Sequence, residues 1–427
     1  MIIVDTALQK RLDEKNPIKI GIIGAGYSGK NIAYQIINSF PGIQVAVIVN
    51  RTLANAQAAL EFSGIKDYRT VKTSGELQDS ITQNKFSVTD DPQVLFDTES
   101  IEAIVETTGI VDFGAEMAFK SIQSGKHTIV MNCEMDATVG PILKYYAAQK
   151  GVVYTNTDGD EPGVAMNLFR FVKTIGFKPI LAGNLKGYYD PYRTPDTQRE
   201  FAEKNNKDPK MMTSFIDGTK LSMELTVLAN ATGFGVGKRG MFGPKAKDVQ
   251  EALKIFPLKK MHQSGGNVDF LLGAAPFTGA FVVCYSAEKV KMDYMKYLKM
   301  GEGPYYVFYT PFHLPHLEIP ITVARAVLFN DATVSPQGKP YTDVLTIAKK
   351  DLKAGETLDG IGGFTCFSLI ENAALSYTSN LLPMGVSEGC VLKRDILKNT
   401  PLTYNDIQLP EGRTCDNLRE QQKKVFF

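Results

Sequence analysis

The chain has 427 residues, of which 44% are hydrophobic and 22% are charged, values typical of soluble globular proteins. Lysine and arginine number 47 against 46 for aspartate and glutamate, so the formal net charge is +1. That balance argues against a nucleic-acid protein and against a polybasic membrane binder, because both need a basic surplus.

The five cysteines are widely spaced and form no Cys-x-x-Cys pair. This spacing argues against a disulfide scaffold and a cysteine-rich zinc site, and it fits a reducing cytosol. The N-terminal apolar run, residues 1–4, is too short for the core of a signal peptide, and no stretch approaches 18 uncharged apolar residues. We therefore expect a cytoplasmic protein without a membrane span.

The first part of the chain alternates strand and helix patterns. After a polar segment that favours a short helix (5–16), short β-branched runs predict strands, and apolar residues at helical spacing predict helices. The predicted strands are 18–23, 45–49, 101–106, 127–131 and 152–155, and the predicted helices are 31–40, 54–62, 115–123 and 139–149. This alternation predicts an α/β fold with a parallel, doubly wound sheet of the Rossmann type.

The pattern changes after residue 157. Helical segments at 161–174 and 222–232 and a strand-like run at 281–285 indicate a mixed α/β domain. After residue 340, short apolar runs separated by turn residues predict a small β-rich module. The predicted domains are a nucleotide-binding domain (1–156), a catalytic, substrate and oligomerisation domain (157–340), and the C-terminal module (341–427).

A glycine-rich motif lies between the first predicted strand and the following helix. It reads Gly24-Ala25-Gly26-Tyr27-Ser28-Gly29, a GxGxxG in the strand–turn–helix context that dinucleotide binding requires. The first glycine permits the turn, the second admits the pyrophosphate and the third allows close packing of the helix on the strand. The alternative is a glycine-rich turn without a ligand.

The end of the second strand indicates which dinucleotide is preferred. NAD-binding folds usually carry Asp or Glu there, whereas this chain has Asn50 and Arg51. Because arginine pairs with a 2′-phosphate, we predict NADPH rather than NADH. The alternative is that Arg51 is a solvated surface residue. Further candidates for cofactor contact follow later strands at the same edge of the sheet, namely Thr107, Thr108 and Asn132.

Residues 103–109 (AIVETTG) and 125–132 (GKHTIVMN) resemble the nucleotide domain of homoserine dehydrogenases. That family usually has Ala-Asn-Lys after this strand, where this chain has Met131-Asn132-Cys133. The departure counts against homoserine as the substrate.

Nearly the full length resembles a separate branch, the deoxyxylulose-phosphate reductoisomerase-like family, whose members are homoserine-dehydrogenase-like and end in a SAF domain. The matching segments are 132–141 (NCEMDATVGP), 157–163 (TDGDEPG), 184–191 (NLKGYYDP), 214–232 (SFIDGTKLSMELTVLANAT), 303–318 (GPYYVFYTPFHLPHLE) and the SAF-like tail, 348–410. The resemblance implies an NADPH-dependent oxidoreductase that acts on a small carbonyl compound.

Two lysines are candidates for proton transfer because each lies in a glycine-rich string of low charge. Lys186 follows Asn184, and Lys220 lies between Asp217 and Glu224. A lysine away from water can exchange a proton near neutrality. We predict Lys186, Lys220, Asp217 and Glu224 as catalytic. The alternatives are solvated lysines and an intrahelical Lys220–Glu224 salt bridge.

The loop with Asp158, Asp160 and Glu161 offers oxygen ligands suited to Mg²⁺ or Mn²⁺. The favoured alternative is that these acids cap the following helix, so the metal stays unknown. Either way the loop is a candidate wall of the substrate pocket. The residues predicted to bind substrate are Asp160, Glu161, Asn184, Tyr189, Asn230 and His313.

The leading interpretation is NADPH-dependent reduction of a small phosphorylated or polyhydroxylated carbonyl compound, with a reductoisomerase-like activity as its fullest form. A second is reduction of aspartate semialdehyde, and a third is a non-catalytic cofactor-binding scaffold. We expect a small molecule as the partner rather than nucleic acid or membrane. Related dehydrogenases also lead us to expect a homodimer or homotetramer.

Overall fold

The computed structural model describes residues 4–427, so residues 1–3 of the N-terminal apolar run lie outside the described part. Strand and helix alternate through the first 160 residues, as predicted. The elements are α1 (Val4–Asp13), β1 (Ile18–Ile23), α2 (Tyr27–Ser39), β2 (Ile43–Val49), α3 (Leu53–Phe62), β3 (Tyr68–Thr70), α4 (Ser74–Thr82), β4 (Phe86–Thr89), α5 (Pro92–Phe96), β5 (Ala103–Glu106), α6 (Val111–Gln123), β6 (His127–Val130), α7 (Cys133–Lys150) and β7 (Tyr154–Asn156).

The remaining elements include longer helices and three further sheets. They are α8 (Glu161–Thr174), β8 (Lys178–Lys186), α9 (Pro195–Lys204), α10 (Pro209–Ile216), α11 (Thr219–Thr232), α12 (Ala252–Ile255), α13 (Leu258–Gln263), β9 (Asn267–Leu272), β10 (Ala280–Tyr285), α14 (Lys289–Tyr297), β11 (Tyr305–Thr310), α15 (Ile319–Phe329), β12 (Thr342–Ala348), β13 (Cys366–Asn372), α16 (Ala373–Thr378), β14 (Val391–Leu392), β15 (Ile407–Gln408) and α17 (Thr414–Phe426).

The chain divides into two compact units. The first comprises Met1–Asp160 and Leu314–Ser335, and the second comprises Glu161–His313 and Pro336–Phe427. The polypeptide therefore leaves the first unit, returns to it through α15, and leaves it again. The predicted boundaries of the three domains remain predictions.

The first unit contains a seven-stranded parallel sheet in the order β3-β4-β2-β1-β5-β6-β7. Its central strands are almost continuously apolar and buried, as expected for a parallel sheet covered on both faces. The predicted α/β fold with a doubly wound sheet is confirmed. α15 joins the same core, because Ile319 and Val323 pack with Ile18 and Ile20 of β1.

The second unit is built on a four-stranded mixed sheet in the order β11-β10-β8-β9. Alternate residues of β10 face opposite sides. Val282 packs with α8 and α11, whereas Phe281 packs on the other side with α12 and α13. Glycine at position 183 is required on β8, because a Cβ there would lie 1.7 Å from the carbonyl oxygen of Asp269 on β9.

The C-terminal part of the second unit contains two small antiparallel sheets, β12–β13 and β14–β15, joined by turns. The β-rich prediction holds for this segment, although it also contains α16 and α17. All five cysteines are buried, and none of them forms a disulfide. Among the described residues, no helix is both long enough and apolar enough to cross a membrane.

Candidate active site

The glycine loop of the first unit has the geometry that its sequence predicts. Gly24 has φ +103°, which favours glycine. A Cβ on Gly29 would lie 1.9 Å from the carbonyl oxygen of Gly24, so this position packs α2 against the loop. A Cβ on Gly26 would meet nothing within 4 Å. The backbone at Gly26 is therefore open to a ligand at the N-terminus of α2.

Two predicted cofactor residues hold this loop in place. The Asn50 side chain accepts a hydrogen bond from the Ala25 amide at 3.0 Å and donates to the carbonyl of Thr52 at 2.9 Å. The Thr107 hydroxyl lies 3.1 Å from the carbonyl oxygens of Ile23 and Gly24. Both residues therefore shape the loop through its backbone.

The other predicted cofactor residues differ in exposure. Arg51 is exposed and Ser28 is partly exposed beside the open loop. Tyr27 is exposed and makes an edge contact with the His316 ring at 5.4 Å. An anion at the start of α2 would meet the backbone N–H groups of the first turn. The residues present thus fit the pyrophosphate of a dinucleotide.

Asn132 and Thr108 flank a buried carboxylate at the end of β5. Glu106 accepts hydrogen bonds from the amide of Thr108 at 2.7 Å and from its hydroxyl. Burial raises the pKa of Glu106. Asn132 caps α7 by accepting from the Met135 amide at 3.1 Å, and it donates to the carbonyl of Ile110 at 3.2 Å. This N-cap begins α7 ahead of the predicted start of that helix at residue 139.

The second unit contains a cluster of four polar side chains, which we call the carboxylate–lysine cluster. It consists of Glu161, Asn184, Lys186 and Glu224. The Lys186 Nζ lies 3.1 Å from Glu161 Oε2 and 3.6 Å from Glu224 Oε2. Asn184 Nδ2 donates to the same two oxygens, at 2.7 and 3.2 Å. Four residues from α8, β8 and α11 thus meet at one point, where Lys186 is partly exposed and the other three are buried.

Burial and mutual charge shift the pKa values in the carboxylate–lysine cluster in a consistent way. Burial raises the pKa of Glu224 to about 8, the nearby Glu161 carboxylate adds to the shift, and Lys186 and Lys220 oppose it. Burial disfavours the charged form of Lys186, but Glu161 and Glu224 outweigh this effect and raise the pKa of Lys186. The cluster therefore combines a persistent ammonium group with a carboxyl group that titrates near neutrality.

Two further predicted residues adjoin the carboxylate–lysine cluster. Lys220 Nζ lies 3.9 Å from Glu224 Oε1, so the predicted salt bridge within α11 is present. His313 Nδ1 lies 3.9 Å from Glu161 Oε1 and 3.1 Å from the Thr278 hydroxyl. Both side chains are partly exposed, so they can contact a ligand from solvent.

Asp217, predicted to act with Lys220 and Glu224, has a different partner. Its Oδ2 lies 3.0 Å from the Nζ of Lys349, and its Oδ1 accepts from the Thr219 amide at 2.9 Å. Asn230 is also committed elsewhere, because its Oδ1 accepts from the amides of Tyr341 and Thr342. The structure does not bring these two side chains into the carboxylate–lysine cluster.

The acidic loop divides between the two units. Asp158 lies 2.5 Å from Arg325 Nη1 and also accepts from the hydroxyls of Thr322 and Thr333 within the first unit. Asp160 is buried and belongs to the same unit. Glu161 begins α8 and belongs to the carboxylate–lysine cluster. The paired Asp158 therefore acts inside the fold rather than as an open metal ligand.

Tyr189 lies beside the start of α11. Its ring fills the space next to Gly218, where a Cβ would lie 2.3 Å from the Tyr189 ring. Burial raises the pKa of Tyr189 to about 12, so its hydroxyl stays protonated at physiological pH. Sequence reasoning missed Lys349, since a lysine next to another lysine in a turn-rich segment has no distinctive pattern.

Comparison with known families identifies the class of protein. Residues 18–131 match the NAD-binding Rossmann fold of the GFO/IDH/MocA oxidoreductase family. Residues 159–319 match the catalytic domain of oxidoreductase DRL. The chain is an NAD(P)-dependent oxidoreductase. The resemblance of the C-terminal segment to SAF domains remains a prediction.

Several solved structures are similar over much of their length. A homoserine dehydrogenase from Thiobacillus denitrificans is 14% identical, with a TM-score of 0.45 over 91% of this chain and 98% of that chain. A probable dehydrogenase from Thermotoga maritima is 10% identical, with a TM-score of 0.42 over 75% and 91%. A myo-inositol 2-dehydrogenase from Lactobacillus plantarum is 11% identical, with a TM-score of 0.38 over 74% and 91%. No curated protein matches the sequence significantly.

Proposed function

We propose that this protein reduces a small phosphorylated or polyhydroxylated carbonyl compound with NADPH. The observation that carries the proposal is the Lys186 ammonium, which is 17% exposed and is held between the buried carboxylates of Glu161 and Glu224. Burying three ionisable groups together is costly compared with an apolar core, and such clusters concentrate at functional sites. The carboxylate–lysine cluster lies in the part of the chain that matches an oxidoreductase catalytic domain.

The carboxylate–lysine cluster supports a route for the proton that carbonyl reduction consumes. When bound, NADPH supplies a hydride to the carbonyl carbon. The Lys186 Nζ donates a hydrogen bond to the carbonyl oxygen and then gives up its proton as that oxygen becomes an alcohol. Glu224, protonated below pH about 8, restores the proton to Lys186. Bulk water then reprotonates Glu224, which completes the balance of one hydride and one proton.

The neighbouring groups favour a substrate rich in oxygen. His313 and Lys220 are partly exposed beside the carboxylate–lysine cluster. Lys220 is suited to a phosphate or a ring of hydroxyls, and the His313 imidazole can donate to or accept from a hydroxyl. These groups support a sugar-like or phosphorylated carbonyl compound over an apolar one.

NADPH rather than NADH is proposed from the end of β2. Asn50 is committed to the glycine loop, and Arg51 is the exposed cation next to it. The absence of a carboxylate at this position removes the usual partner of the 2′-hydroxyl.

The reductoisomerase-like activity would also require a divalent cation. Asp158 is engaged by Arg325 and two threonines, and Glu161 and Glu224 face the Lys186 ammonium. Asp158, Glu161 and Glu224 would therefore bind Mg²⁺ or Mn²⁺ only after release of the arginine or lysine side chain that each of them faces. We assign no step of the reaction to a metal.

The test is NADPH oxidation by the purified protein with 1-deoxyxylulose 5-phosphate, with and without Mg²⁺ or Mn²⁺. Aspartate semialdehyde and other sugar and polyol phosphates serve as comparison substrates. Turnover of a phosphorylated carbonyl compound supports the proposal, and metal-dependent turnover with rearrangement of the carbon skeleton supports the reductoisomerase-like form. Faster turnover of aspartate semialdehyde favours the homoserine-dehydrogenase-like alternative. NADPH binding without any turnover indicates a non-catalytic scaffold.

A further inference from the structure

Lys349 is a buried lysine in the C-terminal segment that the proposed reaction does not use directly. It follows β12 and is 4% exposed. Its Nζ donates to the carbonyl of Arg193 at 2.7 Å, to the carbonyl of Gly363 at 2.8 Å and to Asp217 Oδ2 at 3.0 Å. Three acceptors match the three N–H donors of an ammonium group, so its hydrogen-bonding capacity is filled.

Asp217 lies between the end of α10 and the start of α11. Its amide donates to the carbonyl of Thr213 at the end of α10, and its Oδ1 accepts from the Thr219 amide at the start of α11. Between them Gly218 has φ +88°, a conformation that other residues rarely adopt. Asp217 thus ends α10 through its backbone amide and begins α11 through its carboxylate, and Lys349 neutralises that carboxylate where it is fully buried.

Helix α11, which begins just after Asp217, carries one residue of the carboxylate–lysine cluster and one that adjoins it. Lys220 lies in the first turn of α11 and Glu224 lies one turn later. Another acceptor of Lys349, the carbonyl of Arg193, belongs to the segment that follows β8, the strand that ends at Lys186. Lys349 therefore joins the two chain segments that supply the lysine and a carboxylate of the carboxylate–lysine cluster.

We propose that Lys349 is a positioning residue, through which the C-terminal segment sets the start of α11 and hence the distance between Glu224 and Lys186. This inference rests on the proposed function for its effect on turnover, but its structural part does not. It gives the segment after residue 340 a role in the reaction without any contact between that segment and the substrate.

A buried ion pair elsewhere in the same segment provides the matched control. Arg419 on α17 pairs with Asp343 at 2.8 Å, and both side chains are buried. The two pairs are similar in burial and charge, but the Arg419 pair joins α17 to β12, and the Arg419 guanidinium lies over the Tyr377 ring of α16. Loss of either pair weakens the fold, but the Lys349 pair includes the carboxylate that is hydrogen-bonded to the first amide of α11.

The first experiment is hydrogen exchange of the full-length protein, because it does not depend on a known substrate. In Lys349→Met we expect exchange of the first-turn amides of α11 to rise about tenfold or more, with α17 unchanged. Arg419→Met should give the opposite pattern. Asp217→Asn should reproduce the Lys349→Met pattern, and the double variant should add little to either, since both substitutions break one interaction.

The second experiment connects this placement to turnover, with NADPH and the best carbonyl substrate found for the wild type. At a temperature where each variant is folded, Lys349→Met should lower kcat about tenfold or more and move the alkaline limb of the pH profile, with a smaller change in KM. Lys349→Arg should restore part of the rate, and Arg419→Met should leave kcat and the pH profile unchanged.

The possible results separate the two proposals. If the wild type reduces no carbonyl compound, the proposed function fails, while the exchange pattern still decides the placement of α11. If Lys349→Met leaves α11 exchange unchanged, or raises exchange uniformly through the second unit, the positioning role is wrong. If Lys349→Met does not fold, Lys349→Arg and Asp217→Asn are measured in its place against the same criteria.

Discussion

Glu224 and Lys186 show how one buried site can hold two ionisable groups for different purposes. Burial raises the pKa of Glu224 to about 8, so its carboxyl group exchanges a proton in the physiological range. The carboxylates of Glu161 and Glu224 repel one another, but both stabilise the Lys186 ammonium and raise its pKa. Lys186 therefore keeps its charge until a strong base, such as a developing alkoxide, removes the proton.

This arrangement predicts the pH dependence of carbonyl reduction. Because reduction consumes the proton held by Glu224, kcat should be high below pH about 8 and fall as the pH rises through that value. Glu224→Gln should lower kcat and remove this limb, since an amide does not titrate.

The measurement is the pH profile of kcat from NADPH oxidation. Glu371→Gln is the control, because Glu371 is buried in the same unit and pairs with Arg239 instead. If Glu224→Gln keeps the wild-type limb, the limb belongs to another group and the proton route is wrong.

Arg51 carries the prediction of cofactor preference. Arg51→Asp should lower the ratio of kcat/KM for NADPH to that for NADH by about tenfold or more, because it replaces attraction to the 2′-phosphate with repulsion. The control is Lys72→Asp, which makes the same charge change at another exposed position of the first unit. Equal effects of the two substitutions would mean that Arg51 acts only through net charge.

The sequence identifies individual candidate residues of the site more readily than it identifies the residues that they contact. The spacing of Lys220 and Glu224 predicts their contact, since both lie on one helix at i and i+4. Lys186 and Glu161 meet because β8 packs beside α8, and one sequence does not reveal that packing. Asp217 pairs with Lys349 instead of acting with Lys220 and Glu224 for the same reason, because Lys349 lies more than a hundred residues away in the sequence.

At the scale of elements, two glycines of the glycine loop have different roles, since Gly26 is open to a ligand and Gly29 is packed against the loop. Gly26→Ala adds a methyl group that meets no protein atom, whereas Gly29→Ala places one against the carbonyl of Gly24. Gly26→Ala should weaken NADPH binding about tenfold or more with little change in melting temperature. Gly29→Ala should lower the melting temperature and weaken binding together.

Calorimetric titration of NADPH and thermal denaturation of both variants provide the measurement, with Gly75→Ala as a third substitution, where an added Cβ would lie 4.0 Å from the Thr73 hydroxyl. A Gly26→Ala variant that binds NADPH as tightly as the wild type would show that the cofactor does not approach this backbone.

Asp136 ties α7 to β7 and makes the stability of the first unit depend on pH. It accepts hydrogen bonds from the Tyr154 hydroxyl at 2.8 Å and from Asn156 at 3.2 Å. Burial raises the pKa of Asp136 from 3.8 to about 6, an effect that these two bonds oppose. The native state therefore favours the protonated carboxyl group.

The raised pKa of Asp136 fixes the direction of the pH effect. This group should contribute most to stability below pH 3.8 and lose up to about 3 kcal/mol of free energy of unfolding as the pH rises to above about 6. In Asp136→Asn the contribution disappears. Denaturant unfolding between pH 4 and pH 7 measures the difference, with the exposed Asp97→Asn as control. A wild-type pH dependence in Asp136→Asn would contradict the assignment.

The elements with strong periodic patterns were predicted well. The helix predicted at 161–174 has the bounds of α8, and the apolar runs of β1 and β2 follow their predicted strands closely. The short strands β3 and β4 were not predicted, because β3 has three residues, none of them buried, and the four residues of β4 include two polar ones, Ser87 and Thr89. α17 was missed as well, since it is strongly polar and one of its main buried contacts is the Arg419–Asp343 ion pair rather than an apolar stripe.

At the scale of the whole molecule, each of the two units is built from segments that are not consecutive in the sequence. The segment Leu314–Ser335 returns to the first unit after more than 150 residues of the second. Local patterns do not reveal such a return, because the apolar residues of α15 would suit either core. The C-terminal segment belongs to the second unit, where Lys349 and Asp217 join it to α11.

The central claim is that this oxidoreductase transfers a proton through Lys186. The most direct measurement is kcat/KM for NADPH oxidation by the wild type and by Lys186→Met, with the best substrate from a panel of phosphorylated and polyhydroxylated carbonyl compounds. We predict that Lys186→Met loses about a hundredfold or more in kcat/KM while its affinity for NADPH is unchanged. Equal turnover by the two proteins would contradict the claim.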